Sequence, residues 1–479
     1  MSTLSFLDRS HSVAPPGFSR WLVPPAALAV HLSIGQAYAF SVFKIPLTQV
    51  IGVNHHVPGR DWEQPPLAWI FSLAMAFLGI SAAVFGRWVE REGPRKAMFA
   101  AACCFGAGFF ISAAGVWLHQ LWMLYLGYGV IGGIGLGLGY ISPVSTLIKW
   151  FVDRPGMATG MAIMGFGGGA MIGGPLAVRL MGYFADPADN GVAEAMVAMG
   201  VIYFCFMMFG AFLVRVPPEG WAPAGYVPKQ QSAMITTRNL DPTTAIRTPQ
   251  FWMLWVVLCM NVTAGIGILE QASPMVQEMF RGRVTPAAAA GFVGLLSLFN
   301  MGGRFFWSST SDHIGRKPTY MIFLGLGFVL YVFLPNTGSH RLNSLTLFVL
   351  TAAVIMSMYG GGFATIPAYL KDMFGKNYVS AIHGRLLTAW SVAGILGPVL
   401  VNYLRKYQIE QRGVPPANAY SFVLYVMAAL LVIGFLANLM VRPVSDRYFA
   451  AETGPARPAD AATGGFPVQA AQPAPAGQE

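Results

Sequence analysis

The sequence predicts an all-α membrane protein of twelve transmembrane helices, arranged as two pseudo-symmetric six-helix halves. Three observations carry this. First, 55% of the 479 residues are hydrophobic and only 10% are charged, whereas a soluble domain carries about 25% charged residues. Second, apolar runs long enough to cross a hydrocarbon core of ~30 Å recur along the chain. Third, the later runs repeat the earlier ones at a near-constant spacing.

The runs fall near 21–43, 66–88, 97–117, 121–145, 157–184 and 194–215, then near 251–274, 285–308, 318–336, 343–370, 380–404 and 419–441. They define a polar N-terminal segment (1–20), a first half (21–215), a Pro-containing polar linker (216–248), a second half (249–441) and a tail (442–479). The tail is rich in Ala, Pro and Gly and is read as disordered. The first residues are polar and precede no small-residue cleavage site, so no cleavable signal is expected. Cys103, Cys104, Cys205 and Cys259 lie in apolar segments without metal-ligand spacing and read as packing residues. The net charge of +10 comes from basic residues scattered among connections, not from a stripe, so no nucleic-acid partner is expected. Roughly twice as many Lys and Arg fall on the side of the termini as on the opposite side, which places both termini in the cytoplasm.

The repeat is the strongest internal evidence. Glu90, Gly93, Arg95 and Lys96 in the second connection resemble Asp312, Gly315, Arg316 and Lys317, with Asp312 lying 222 positions after Glu90. Pro143 matches Pro367, Gly160 matches Gly384 and Gly173 matches Gly397, each at 224 positions. Two parallel halves with a substrate site between them follow from this pattern.

Within the eighth run one residue stands out. Arg304 interrupts an otherwise uncharged apolar stretch, eight residues before Asp312. At 1.5 Å per residue it lies roughly 12 Å from that polar turn, near mid-membrane. A charge there costs about 2.5–3.5 kcal/mol on insertion scales, so it needs a reason. Its repeat partner is Ala82, so the shared architecture does not require a cation at this position. A planar guanidinium suits one carboxylate, and anion recognition is the functional reading; a structural arginine bonded to helix carbonyls is the alternative. The other cation within a run, Arg385, lies nearer the termini face, where it serves as a second cation for the site, as a gate, or as a snorkelling side chain.

Twelve spans, a long central linker and the paired acidic–glycine–basic connections resemble the major facilitator superfamily. More narrowly, GQAYAFSVF (35–43), GGR…SDHIGRK, YGGGFATIPAYLKDMFG (359–375) and HGRLLTAWSVAGILGP (383–398) resemble the oxalate:formate antiporter family. The resemblance implies a secondary transporter in a bacterial cytoplasmic (inner) membrane. It implies that Arg304 binds a substrate carboxylate, and that Tyr359, Phe363 and Trp390, with Gln36 and Tyr38 by analogy, box the substrate. Packing explains an aromatic helix face as well as a binding wall does. Oxalate-binding members carry a lysine three residues after the eleventh-helix tryptophan; here that residue is Ala393. One permanent cation leaves a dianion with an uncompensated charge, so a monocarboxylate such as formate, pyruvate or lactate is preferred to oxalate.

His31, mid-run in the first span, is either a hydrogen-bonded packing residue or a proton relay. The resemblance places Glu90 and Asp312, with Arg95 and Arg316, at gates against the starts of the eleventh and fifth helices. Gly127, Gly129 and Gly132 match a dinucleotide fingerprint but follow no strand. With no P-loop, zinc spacing or nucleophile–base pair, neither enzymatic chemistry nor a cofactor is expected. The expected partners are a small carboxylate and the lipid bilayer, with the chain monomeric. An efflux transporter for amphipathic compounds and a non-transporting sensor on the same fold are the alternatives.

Overall fold

The computed structural model describes residues 5–53, 55–226, 234–338 and 342–450; the expectation of a disordered tail at 451–479 lies outside them. The helices, in order, are α1 (Val23–Ile34), α2 (Gln64–Glu92), α3 (Pro94–Trp117), α4 (Leu121–Trp150), α5 (Pro155–Phe184), α6 (Val192–Leu213), α7 (Pro249–Met279), α8 (Pro286–Ile314), α9 (Arg316–Thr337), α10 (Leu345–Phe374), α11 (Val379–Glu410) and α12 (Pro416–Met440). These twelve form the two six-helix halves expected from the repeat.

Local chemistry explains where they start and stop. Pro94, Pro155, Pro249, Pro286 and Pro416 open their helices, where a missing N–H costs nothing. The side chains of Thr248, Thr285 and Ser344 accept backbone N–H groups at their helix starts. Gly93 and Gly315 stop α2 and α8 at φ 93° and 90°, a region that a side chain rarely tolerates. Their matching conformations show that the two connections fold alike.

Three spans are less regular than an apolar run suggests. α1 continues through a 3-10 turn, Gly35–Ala39, into Ser41–Leu47 with a 46° bend. Tyr125–Gly132 in α4 is π-helical, and α11 breaks between Leu386 and Thr388. Such departures from the i to i−4 ladder are common near functional sites.

Glycines bring the halves together. A Cβ at Gly160 of α5 would stand 2.2 Å from the Ser308 hydroxyl of α8, and one at Gly384 of α11 would stand 2.0 Å from the Ala82 carbonyl of α2. These are the repeat-related glycines, and they seat repeat-related helix pairs. Close backbone approach through small residues replaces the hydrophobic drive that lipid cannot supply. Outside, large apolar side chains such as Val84, Phe206, Phe306 and Val399 are exposed, a surface suited to acyl chains and not to water.

The termini share one face with the linker. Val13 pairs with Val216, and Arg95 donates to the Phe6 and His11 carbonyls at 3.0 Å. The tail is held as far as the short helix Asp446–Ala450, where Arg238 pairs with Asp446 and stacks over Phe449.

Candidate functional site

Between the halves, at mid-depth, lies Arg304, which is 0% exposed. The close packing of α5 on α8 sets its reach: a Cβ at Gly167 would stand 2.9 Å from Arg304 Nε. Nε donates to Asn300 Oδ1 at 3.1 Å, one turn earlier on α8, and Nη1 donates to the Ile163 carbonyl of α5 at 3.2 Å. Nη2 is buried without a hydrogen-bond partner among the described residues. The guanidinium carbon sits 5.2 Å from the Phe363 ring and 5.7 Å from the Phe166 ring, within cation–π range. Its two hydrogen-bond acceptors are both neutral. A buried cation compensated by an amide oxygen, a carbonyl and two ring faces still lacks a counter-charge.

Aromatic side chains enclose it. Trp390 lies 4.4 Å from Phe363, 5.2 Å from Phe166, 5.3 Å from Tyr140 and 6.3 Å from Tyr38. Tyr359 packs edge-on to Phe363 at 5.3 Å, and its hydroxyl meets that of Tyr38 at 3.3 Å. The structure thus brings Arg304, Tyr38, Tyr359, Phe363 and Trp390 together, with contributions from α1, α8, α10 and α11. The Tyr38–Tyr359 contact joins the halves.

Two expected members are elsewhere. Gln36 is turned into the first half, where its Oε1 accepts from the Tyr128 hydroxyl at 2.9 Å; the 3-10 turn at Gly35–Ala39 separates its direction from that of Tyr38. Arg385 has Arg87 and Asp241 as its charged neighbours, which places it at the termini face and not in the box as a second cation. His31 is buried beside the box, with Nδ1 3.1 Å from the Ala27 carbonyl and its ring 5.4 Å from Tyr140.

Sequence reasoning missed Phe166, Tyr140, Asn300 and His383. Phe166 had a signal: it is the repeat partner of Trp390, 224 positions earlier. Asn300 precedes Arg304 by one helical turn, the spacing of a side-chain partner.

The termini face is closed by two repeat-related contacts. Asp312 accepts from the Gly156 and Met157 N–H groups at 2.9 and 2.8 Å, at the start of α5. Glu90 accepts from the Ser380 N–H at 2.9 Å, at the start of α11. Each carboxylate occupies the positive end of a helix in the other half. The supporting cations differ. Arg316 bonds Asp312 at 2.6 Å and Asp372 at 3.0 Å, whereas Glu90 pairs with Lys149. Arg95, expected beside Glu90, instead anchors the N-terminal segment.

Two halves joined by a polar linker, a box at the pseudo-twofold axis and carboxylate-capped helices at one face are a transporter's geometry. The pattern of the Major Facilitator Superfamily matches residues 26–398 and 304–471. The chain belongs to this superfamily. Among its relatives, the uncharacterised MFS-type transporter YhjX of Escherichia coli is 26% identical over 382 residues, covering 79% of this chain and 86% of that one. The oxalate:formate antiporter of Oxalobacter formigenes is 25% identical over 380 residues, covering 79% and 83%. The solved MFS proton:xylose symporter XylE shares the fold with a TM-score of 0.64 at 14% identity, over 92% of this chain and 99% of that one. Members of the superfamily are transporters.

Proposed function

We propose that this protein is a secondary transporter of small organic anions that works by alternating access, taking monocarboxylates such as formate, pyruvate or lactate in preference to oxalate. The observation that carries the reading is Arg304, fully buried, with one guanidinium nitrogen unpartnered and no carboxylate bonded to it among the described residues. A carboxylate in the box would complete its hydrogen bonding and neutralise it at once. The surrounding rings exclude water, which strengthens that pairing and limits the guest to a small, flat anion. The relation to an oxalate:formate antiporter supports the carboxylate class.

In the transport cycle, Asp312 and Glu90 hold the termini face shut while the opposite side exchanges substrate, and release of both contacts lets the halves rock. The charge bias among connections supports cytoplasmic termini in a cytoplasmic membrane. A permanent cation in the box disfavours cationic amphipathic compounds, and so argues against an efflux role.

The test is counterflow in reconstituted vesicles across formate, pyruvate, lactate and oxalate, alongside a panel of hydrophobic cations. Exchange of a monocarboxylate with no flux of the cations is expected. Flux of the cations with no carboxylate exchange would refute the proposal.

A further inference from the structure

Two buried imidazoles flank the box, and neither has a role in holding an anion at Arg304. His383, on the first turns of α11, is 1% exposed, and neither ring nitrogen has a hydrogen-bond partner. His31, on α1, is 0% exposed, and its Nε2 has no hydrogen-bond partner among the described residues. Tyr140 lies between them, 5.4 Å from the His31 ring and 5.8 Å from the His383 ring, and its hydroxyl is also unpartnered. Native interiors seldom leave several buried polar atoms unsatisfied at one place. Here they adjoin Arg304, whose buried Nη2 is also unsatisfied.

The depths are ordered. His383 lies three residues beyond Ser380, whose N–H holds Glu90 at the closed face, and seven before Trp390 in the box. It therefore stands between gate and box, roughly 10 Å below Trp390. The ionisable groups facing the pair are Arg304 of α8, which acts on His31, Tyr140 of α4, which touches both rings, and His31 itself for His383. Among the described residues no carboxylate faces the pair. A proton on His31 then meets the positive Arg304, which repels it, and a proton on His383 meets His31. A bound carboxylate cancels that field and supplies an acceptor.

We infer that His31 and His383 form a proton-binding subsite that charges when an anion occupies the box, so that a proton is carried with the substrate. The inference rests on the anion reading of Arg304 given above. The step is a simple protonation: an imidazole nitrogen gains an N–H bond from a water-borne proton on the open side, and that proton returns to water on the other side with anion release. Linkage makes the coupling reciprocal, so anion affinity rises as pH falls.

Pyruvate is the suitable probe, because its own carboxyl stays ionised across the range and cannot carry the proton. With purified full-length protein in detergent, pyruvate binding is expected to take up about one proton, read with a dye in weak buffer. Its affinity should strengthen by up to about tenfold per pH unit between about pH 8 and about pH 5. The double variant His31→Gln/His383→Gln should lose both the uptake and the slope; should it fail to fold, His383→Asn alone serves the same comparison. Wild-type binding without proton uptake, or an unchanged slope in a folded variant, would overturn the inference and leave the anion site standing. If no carboxylate of the panel binds, the Arg304 reading fails and the proton subsite fails with it.

Discussion

Arg304 of the second half donates to the backbone carbonyl of Ile163 in the first half at 3.2 Å. The residue that would bind substrate therefore also joins the two moving bodies. Occupancy of the box and packing of α5 on α8 are not independent, and a guest that draws the guanidinium away from Ile163 alters the contact between halves.

The two gate carboxylates should act on turnover more than on affinity. Asp312→Asn keeps one acceptor oxygen toward the start of α5, turns the other position into a donor, and removes the charge that the α5 dipole and Arg316 stabilise. Breaking a buried pair costs about 3–5 kcal/mol; Asp372 remains bonded to Arg316, so the loss should fall at or below the low end. Exchange rates in vesicles should drop at least about tenfold, while the Kd measured in detergent changes less than about threefold. Equal losses in both would count against a gate.

Gly160 and Gly384 test the closure itself. A valine at either position meets backbone or hydroxyl atoms at 2.0–2.2 Å, so the halves cannot seat at the termini face. We expect Gly160→Val and Gly384→Val to leave that face open. A single cysteine placed on the box-facing side of α5 should then react with a membrane-impermeant maleimide from that side. Unchanged protection in both variants would show that the contact does not govern closure.

Outside the membrane, Asp61 offers a pH test of local order. Its carboxylate accepts from the Ile51, Gly52 and Val57 N–H groups at 2.7, 3.3 and 2.9 Å. Burial alone would raise its pKa, but these three donors outweigh burial and hold it below the ordinary carboxylate value. With the folded value depressed, the stabilisation is full above the unfolded pKa and disappears as pH falls through the folded one. Proteolysis within 48–63 should accelerate below the usual carboxylate range, and Asp61→Asn should show that faster cleavage already at neutral pH. A pH-independent rate in the wild type would contradict the assignment.

How much was legible follows from what each residue depends on. Arg304 could be found because a charge in an apolar run violates the surrounding pattern, and Ala82 at its repeat position removed the architectural explanation. Glu90 and Asp312 were legible as a repeated motif, and their helix-start partners differ by the same near-constant spacing. Gln36 was misplaced because it lies two positions before Tyr38, a spacing that points the two side chains different ways within the 3-10 turn that holds both. Arg385 and His383 sit two residues apart on one helix, so they face different surroundings; sequence showed the charge but not that the histidine is the one turned inward. Tyr140 carries no mark at all in a stretch of glycine and aliphatic residues, and only the packing of α4 against α1 and α11 reveals it.

The most direct test is carboxylate binding and uptake by Arg304→Gln and Arg304→Lys, with correctly folded protein confirmed by thermal unfolding. Losing charge-assisted hydrogen bonds should cost about 1.5–3 kcal/mol, roughly ten- to a hundredfold in Kd, and uptake should fall to background. The lysine should rescue neither, because a point charge does not reproduce the planar fork. Wild-type binding and uptake in the glutamine variant would contradict the account, since no other cation of the described residues stands in the box to replace it.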